Sequence, residues 1–273
     1  MSSDVSRLPP PEFSKAISSL QFGVTFKTTR PGRHQHSDQY LSELYSGSKP
    51  VILDVGASDG STSLDLLKAL GYCIGRYYVT DLSPAVRCGY GRAGVLYFLD
   101  DSGECVLRAS KRFLIYSDFT GARFPLPFIA GKLLALSRTV VAWQEVKLIQ
   151  PELVTRAAND SRITIMRYDM FTPWTGERPD LIKVANLLNG RYFSEAQIKR
   201  ALIIQCSNLA SGGRLLLVSE DYSTEKFSIF RKSSTRIRLE HTHNGGAKAS
   251  HLVPSVVDPW PHAGEPLAHG VHD

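Results

Sequence analysis

The chain has 273 residues, with 32 Lys+Arg against 26 Asp+Glu for a formal net charge of +6; hydrophobic residues make up 42% and charged residues 21%. That is the composition of an ordinary globular protein, long enough to bury a core as one large α/β domain or two small ones without disulfide or metal staples. The four cysteines, Cys73, Cys88, Cys105 and Cys206, form no C-x-x-C pair, which argues against a zinc cluster or a secreted disulfide framework and predicts a reduced, cytoplasmic protein. The start, MSSDVSRLPPPEF, has no apolar run after a basic stretch, so no secretory signal is expected, and no apolar stretch reaches membrane-spanning length. Basic residues are scattered rather than clustered, so a nucleic-acid partner is not expected.

Residues 1–12 and 252–273, rich in Pro and in Pro, Gly and His respectively, are expected to be disordered tails. Between them strand and helix patterns alternate. Val51 to Val55 is a short apolar run ended by a Gly-containing turn, and Thr62 to Leu70 then sets Leu66, Leu67 and Leu70 at helical spacing before Gly71. Arg76 to Asp81 is β-rich and stops at Ser83-Pro84, which predicts a parallel pair with a crossover helix. Residues 90–150 exceed any ordinary crossover and are expected to be an insertion. Within it, the stretches around 94–99 and 105–108 flank Asp100-Asp101-Ser102-Gly103 as a β-hairpin, and Ile129, Leu133, Leu136, Val140 and Trp143 recur at helical spacing over about 128–149. Further strands are expected at Ile163 to Met166, Asp180 to Ala185 and Arg214 to Val218, with an antiparallel edge from Lys226 to Arg231 and Arg236 to His241. Ser194 and Gln197 form a capping box opening a helix whose Ile198, Leu202, Cys206 and Leu209 share a face.

The chemistry-bearing stretch is Asp54-Val55-Gly56-Ala57-Ser58-Asp59-Gly60. A Gly-rich turn between a buried strand and a helix lets backbone approach a ligand and presents unpaired N–H groups, which points to a nucleotide-type ligand. A dinucleotide fingerprint would need glycines where Ser58 and Ser61 stand. Gly56-Ala57-Ser58-Asp59-Gly60 matches the nucleophile elbow of serine hydrolases, with Ser58 as nucleophile. Only about fifty residues precede it, too few for the strands that come before such an elbow, and the histidines after it fall at 241, 243 and 251 or in the tail.

Taken together, these motifs resemble those of the class I S-adenosylmethionine-dependent methyltransferases over about residues 50–240, the insertion excluded. Leu53 to Gly60 is similar to the family's first motif, Asp81 to its acid closing the second strand, Arg167-Tyr168-Asp169-Met170 to its adenine-binding position, Pro179 to Leu188 to its fourth motif, and Leu209 to Leu217 to its turn into the fifth strand. Ala185 to Ser194, with Ser219-Glu220, is also similar to the chemotaxis receptor methyltransferases, whose N-terminal helical domain and late β-subdomain have no counterpart here. The resemblance implies a doubly wound α/β fold: a mostly parallel seven-stranded sheet with one antiparallel strand, helices on both faces, and an inserted β-hairpin plus helix cap, all in one domain over 13–251. It implies S-adenosyl-L-methionine as cofactor, held by Asp54, Gly56, Ala57, Ser58 and Gly60 in the first turn, by Asp81 and Leu82 after the second strand, with Asp81 on the ribose hydroxyls, by Asp169 and Met170 at the adenine, and by Val184 and Asn186 at the fourth strand.

Methyl transfer needs a base only if the acceptor must lose a proton. Candidates near the acceptor are Asn186, Asp221, His36 and Tyr40, with Asn189, Glu220 and Tyr222 beside them. His241 and His243 alternate as on a strand face but have no third ligand nearby, so no metal is expected. Phe124 to Phe128 and the apolar helix pattern point to a small, partly apolar or lipid-like acceptor methylated on O or N, or to peripheral membrane contact through 124–149. The alternatives are the Ser58 hydrolase and a non-catalytic cofactor-binding protein on the same fold.

Overall fold

The computed structural model describes residues 12, 21–22, 25–27, 29–91, 94–110, 114–116 and 126–254. The expected N-terminal tail, Glu12 apart, residues 255–273 of the expected C-terminal tail, and Phe124 and Pro125 lie outside them. The first described strands are a short hairpin, β1 (Gln21–Phe22) and β2 (Thr25–Phe26), followed by helix α1 (Gln35–Leu44), β3 (Val51–Val55), α2 (Ser61–Ala69) and β4 (Arg76–Asp81). An insertion follows: β5 (Ala85–Tyr90), β6 (Leu96–Leu99), β7 (Cys105–Ala109), β8 (Leu114–Tyr116), α3 (Leu126–Ala135) and β9 (Gln144–Lys147). After it come α4 (Pro151–Asn159), β10 (Ile163–Arg167), β11 (Leu181–Ala185), α5 (Glu195–Asn208), β12 (Arg214–Asp221), β13 (Thr224–Ser233) and β14 (Arg236–His243).

Seven strands make the main sheet, in the order β10-β4-β3-β11-β12-β13-β14. All neighbours are parallel from β10 to β12, and β13 runs antiparallel to both β12 and β14. The chain therefore winds outward from β3 to β4 and β10, then returns to the other side of β3 to lay down β11 and β12. That reversal, between β3 and β11, is where open α/β sheets form a ligand crevice at the carboxyl ends of their strands.

All five residues of β3 are buried, which is why it reads as an apolar run broken only by Asp54. Alternate residues still face opposite layers. Ile52 packs with Leu41 of α1, Leu66 and Leu67 of α2 and Leu153 of α4, whereas Leu53 and Val55 pack with Ile198, Leu202 and Cys206 of α5. Burying each such aliphatic side chain contributes roughly 1.5–3 kcal/mol. The capping box opens α5, with Gln197 N–H on Ser194 Oγ and the Ser194 N–H on Gln197 Oε1. At its other end Lys232 Nζ donates to the carbonyls of Cys206, Ser207 and Leu209 at 2.9, 3.1 and 2.9 Å, satisfying acceptors that a helix C-terminus leaves orphaned. Helix α1 has no local cap. Glu225, on β13, takes the backbone N–H groups of His36 and Ser37 at 2.9 and 3.1 Å instead.

The expected hairpin is present as β6 and β7, closed by Asp100, whose carboxylate accepts the N–H groups of Ser102 and Glu104. It belongs to a larger antiparallel sheet of order β8-β7-β6-β5-β9. The single helix expected over 128–149 is a correction: α3 stops at Ala135, Leu136–Thr139 form one 3-10 turn, and β9 pairs with β5 from Ala85↔Lys147 to Cys88↔Gln144. Apolar residues at helical spacing there cross a helix, a 3-10 turn and a strand, because Gln144 to Lys147 complete a sheet edge that β5 offers. The insertion leaves at Pro84 and returns at Leu148, whose N–H donates to Pro84 O at 2.8 Å. No helix among the described residues is long and apolar enough to cross a membrane.

Candidate functional site

The turn after β3 is latched to the next strand. Ala57 N–H donates to Thr80 O and Ser58 N–H to Asp81 Oδ2, both at 2.9 Å. Gly56, Ser58 and Gly60 all have positive φ, at 70°, 59° and 76°. At Gly56 the positive φ favours glycine, and a Cβ would stand 2.6 Å from Leu187 Cδ2, so any larger residue would have to displace that methyl. Asp59 is fully buried; its carboxylate accepts Ser61 N–H at 2.8 Å and its carbonyl accepts Gln150 N–H at 2.8 Å, which staples the turn to the residue that starts α4.

Asp54 is fixed on three sides. Its Oδ2 accepts Ser63 Oγ–H at 2.8 Å and Tyr77 O–H at 2.9 Å and lies 3.7 Å from Lys183 Nζ. Lys183 sits in the middle of β11 with no exposed surface, donating to Thr62 O at 3.0 Å. Burial, then the Asp54 carboxylate, pushes the Tyr77 phenol well above its usual range. One strand over, Asp81 Oδ1 accepts Lys27 Nζ at 2.7 Å and Ser83 N–H at 2.9 Å. After β10, Tyr168 O–H donates to Thr172 O at 2.8 Å and accepts from Gln205 and Asn208, while Gln205 also donates to Met170 O, so α5 shapes the loop carrying Asp169 and Met170. Asp169 Oδ1 already accepts the Phe171 N–H at 2.9 Å.

At the end of β11, Asn186 has φ 56° and is held by its side chain: Oδ1 accepts Glu220 N–H at 2.8 Å, and Nδ2 lies 3.1 Å from His34 Nε2. His34 is 3% exposed, and burial above all, then Lys183 and Arg33, pushes its pKa well below the ordinary histidine value. From the other side, Arg30 and Arg33 both pair with the Glu220 carboxylate.

These groups surround a cavity of about 420 Å³ at the carboxyl edge of the sheet, within the size range of small-molecule sites. Of the residues expected at the cofactor, Asp54, Gly56, Ala57, Ser58, Asp81, Leu82, Asp169, Met170 and Asn186 line it. Val184 stands in the core behind, among the apolar residues packed on α5, and Gly60 opens α2, where a Cβ would meet Leu153 Cδ2 at 2.5 Å. The insertion contributes Asp100 and Val106 to the wall, and the N-terminal segment Lys27, Thr29, Arg33 and His34.

Three of the four residues expected at the acceptor lie elsewhere. His36 is exposed and its ring lies 4.8 Å from that of His243; Tyr40 stacks on His241 at 4.4 Å, and both histidines meet Phe227. Asp221 is held between Lys226 and Lys248, each at 3.4 Å, and Tyr222 is exposed. Asn189 braces the turn through Asn186 O at 3.1 Å, and Glu220 is spent on Arg30 and Arg33. No group of three or more metal-ligating side chains occurs among the described residues. The hydrolase reading finds no support in the geometry: Ser58 Oγ is buried with no hydrogen-bond partner among the described residues, and His34, the one described histidine in the cavity wall, is engaged with Asn186.

Two residues of the cavity wall, His34 and Lys27, and Lys183 buried behind it were not singled out from the sequence. For His34 a signal existed. His34, Ser37, Asp38, Leu41 and Tyr45 stand at i, i+3, i+4, i+7 and i+11, the spacing of an inward helix face, and all five are buried, which puts His34 rather than His36 inside.

No protein-family model matches the chain, and no curated protein matches it. Among solved structures it is similar to the N-methyltransferase NodS from Bradyrhizobium japonicum in complex with S-adenosyl-L-homocysteine, at 15% identity and TM-score 0.37, covering 76% of this chain and 72% of that one. It is also similar to an O-methyltransferase family protein from Burkholderia thailandensis, at 10% identity and TM-score 0.35 over 68% of this chain and 37% of that one. An O-methyltransferase family 2 protein from Planctomyces limnophilus in complex with apigenin matches at 16% and 0.31, over 64% and 32%. The chain thus spans about a third of the length of the last two. With scores this low, the fold is read from the sheet itself. The reversal between β3 and β11 in a mostly parallel seven-stranded sheet, with the Gly-rich turn after the first sheet strand and the acid closing the second, gives a doubly wound α/β fold.

Proposed function

We propose that the protein is an S-adenosylmethionine-dependent methyltransferase acting on an O or N atom of a small, partly apolar acceptor. The observation that carries this is the place of Asp81: it closes β4, binds the Gly-rich turn through Ser58 N–H, and faces the cavity that spans the strand reversal. A carboxylate there suits a vicinal diol, since it accepts two hydrogen bonds. Met170 and Leu82 offer apolar surface for a flat ring, with the Asp169 carboxylate beside them. When bound, the cofactor supplies a methyl group already activated on a sulfonium. The protein's own share is therefore placement and exclusion of water. The turn at 56–60 fixes one side of the cleft, Asn186 holds the β11 end in a left-handed conformation, and Val106, Phe171, Leu187 and Phe193 make the apolar part of the wall under the inserted cap.

Calorimetry with S-adenosylhomocysteine tests the cofactor, and transfer from radiolabelled S-adenosylmethionine across a panel of phenols, amines and carboxylic acids tests the reaction. Absence of binding by the wild-type chain, or unweakened binding by Asp81→Ala, would overturn the reading. Binding without turnover across the panel would favour the non-catalytic alternative.

A further inference from the structure

We propose that Lys27 and residues 29–33 form a strap across the cleft, with Lys27 holding the carboxylate that the cofactor's ribose hydroxyls require; this rests on the S-adenosylmethionine reading above. The strap crosses the crevice. At one end Lys27 Nζ binds Asp81 Oδ1, at the carboxyl end of β4, at 2.7 Å. At the other, Arg30 and Arg33 bind Glu220, near the end of β12. In the sheet, β3 and β11 lie between those two strands, so the segment bridges the strand reversal itself, and both Lys27 and Arg33 belong to the cavity wall.

A carboxylate offers about four lone-pair positions. On Asp81, Lys27 and the Ser83 N–H take the two on Oδ1, and the Ser58 N–H takes one on Oδ2, which leaves a single position. A vicinal diol needs two. The two backbone donors belong to the turns that build the site, so the ammonium is the partner that gives way. The pair is no surface contact screened by water: the side chains are 7% and 14% exposed. Binding then exchanges one partner of Asp81 for another, and the apparent affinity is lowered by the fraction of molecules in which the strap is closed. The Arg33 end stays put, because it leads directly into α1 and Gly32 N–H is tied to Asp65 at 2.7 Å.

The test is calorimetric titration of the full chain with S-adenosylhomocysteine and, as a control, 5′-methylthioadenosine with and without its 2′ and 3′ hydroxyls. Lys27→Met is expected to tighten binding of the diol-bearing ligands by roughly five- to fiftyfold, with no gain for the dideoxy form. Arg30→Ala, at the exposed end of the strap, should tighten it by about two- to fivefold, and it keeps the test alive if Lys27→Met fails to fold. In the wild type, saturating ligand should increase tryptic cleavage after Lys27. Folded Lys27→Met that binds no better than wild type, or a gain that appears equally with the dideoxy ligand, would overturn the strap. Absence of binding by wild type and both variants would instead overturn the cofactor reading.

Discussion

Asn186 Nδ2 stands 3.1 Å from His34 Nε2 while Asn186 Oδ1 accepts the Glu220 N–H at 2.8 Å. A backbone N–H only donates, so the amide cannot be reversed, and the ring nitrogen facing it must carry a lone pair. The proton of His34 is thereby fixed on Nδ1, a buried atom with no partner among the described residues. Protonating the ring would set two donors against each other. With its pKa pushed well down by burial, Lys183 and Arg33, His34 contributes stability that is present above the ordinary histidine range and lost as pH falls below about 6.5. Urea denaturation from pH 7.5 to 5 should show wild type losing stability relative to His34→Gln as pH falls; parallel profiles in the two would reject the assignment.

Asp38, one turn further along the same helix face, has the opposite slope. Burial, against the pull of Lys183 and with added repulsion from Asp65, Glu225 and Asp54, raises its pKa to about 7. Its contribution is fully present below about pH 4 and lost as pH rises through 7. Asp38→Asn should therefore stabilise the fold by about 4 kcal/mol at pH 8 and change little at pH 4, as read from denaturation midpoints at the two values.

Lys183 and Asp54 form a buried pair under the Gly-rich turn. Removing the cation alone strands a carboxylate in the core. Lys183→Met should cost about 3–5 kcal/mol, and Lys183→Met combined with Asp54→Asn should recover most of it. Similar losses in the single and double variants would show that the pair is not the cause.

The insertion enters and leaves at one point, since Leu148 N–H binds Pro84 O. Replacing residues 85–147 by a short Gly-Ser linker should leave a chain that folds cooperatively and binds S-adenosylhomocysteine within about tenfold of wild type, because the wall residues it removes, Asp100 and Val106, are few. Acceptor turnover should disappear. Thermal unfolding, calorimetry and the transfer assay read the three effects separately.

The main sheet was legible because its signals are local. Val51 to Val55, Arg76 to Asp81 and the Ser194 capping box each announce themselves within a few residues, and those strand ends carry most of the residues that share the cavity. Helix α1 was not legible: its N-terminal N–H groups are satisfied by Glu225, almost two hundred residues on, so no capping residue marks its start. The same distance hid His34 and Lys27, whose roles come from Asn186 and Asp81 across the sheet. In the insertion, β9 takes its structure from pairing with β5 rather than from its own spacing, and helical periodicity misread it for that reason.

One irregularity bears on how the molecule behaves in company. Between Ile229 and Phe230 the pairing with β14 slips, so that Glu240 is an extra residue on the outermost strand, and its carboxylate turns back to grip Arg214 at 2.7 and 3.0 Å. A bulged strand with exposed Arg236 and Arg238 is a poor template for a further strand. The sheet's open border is thus blunted against fibrous growth by the residue that breaks its regularity.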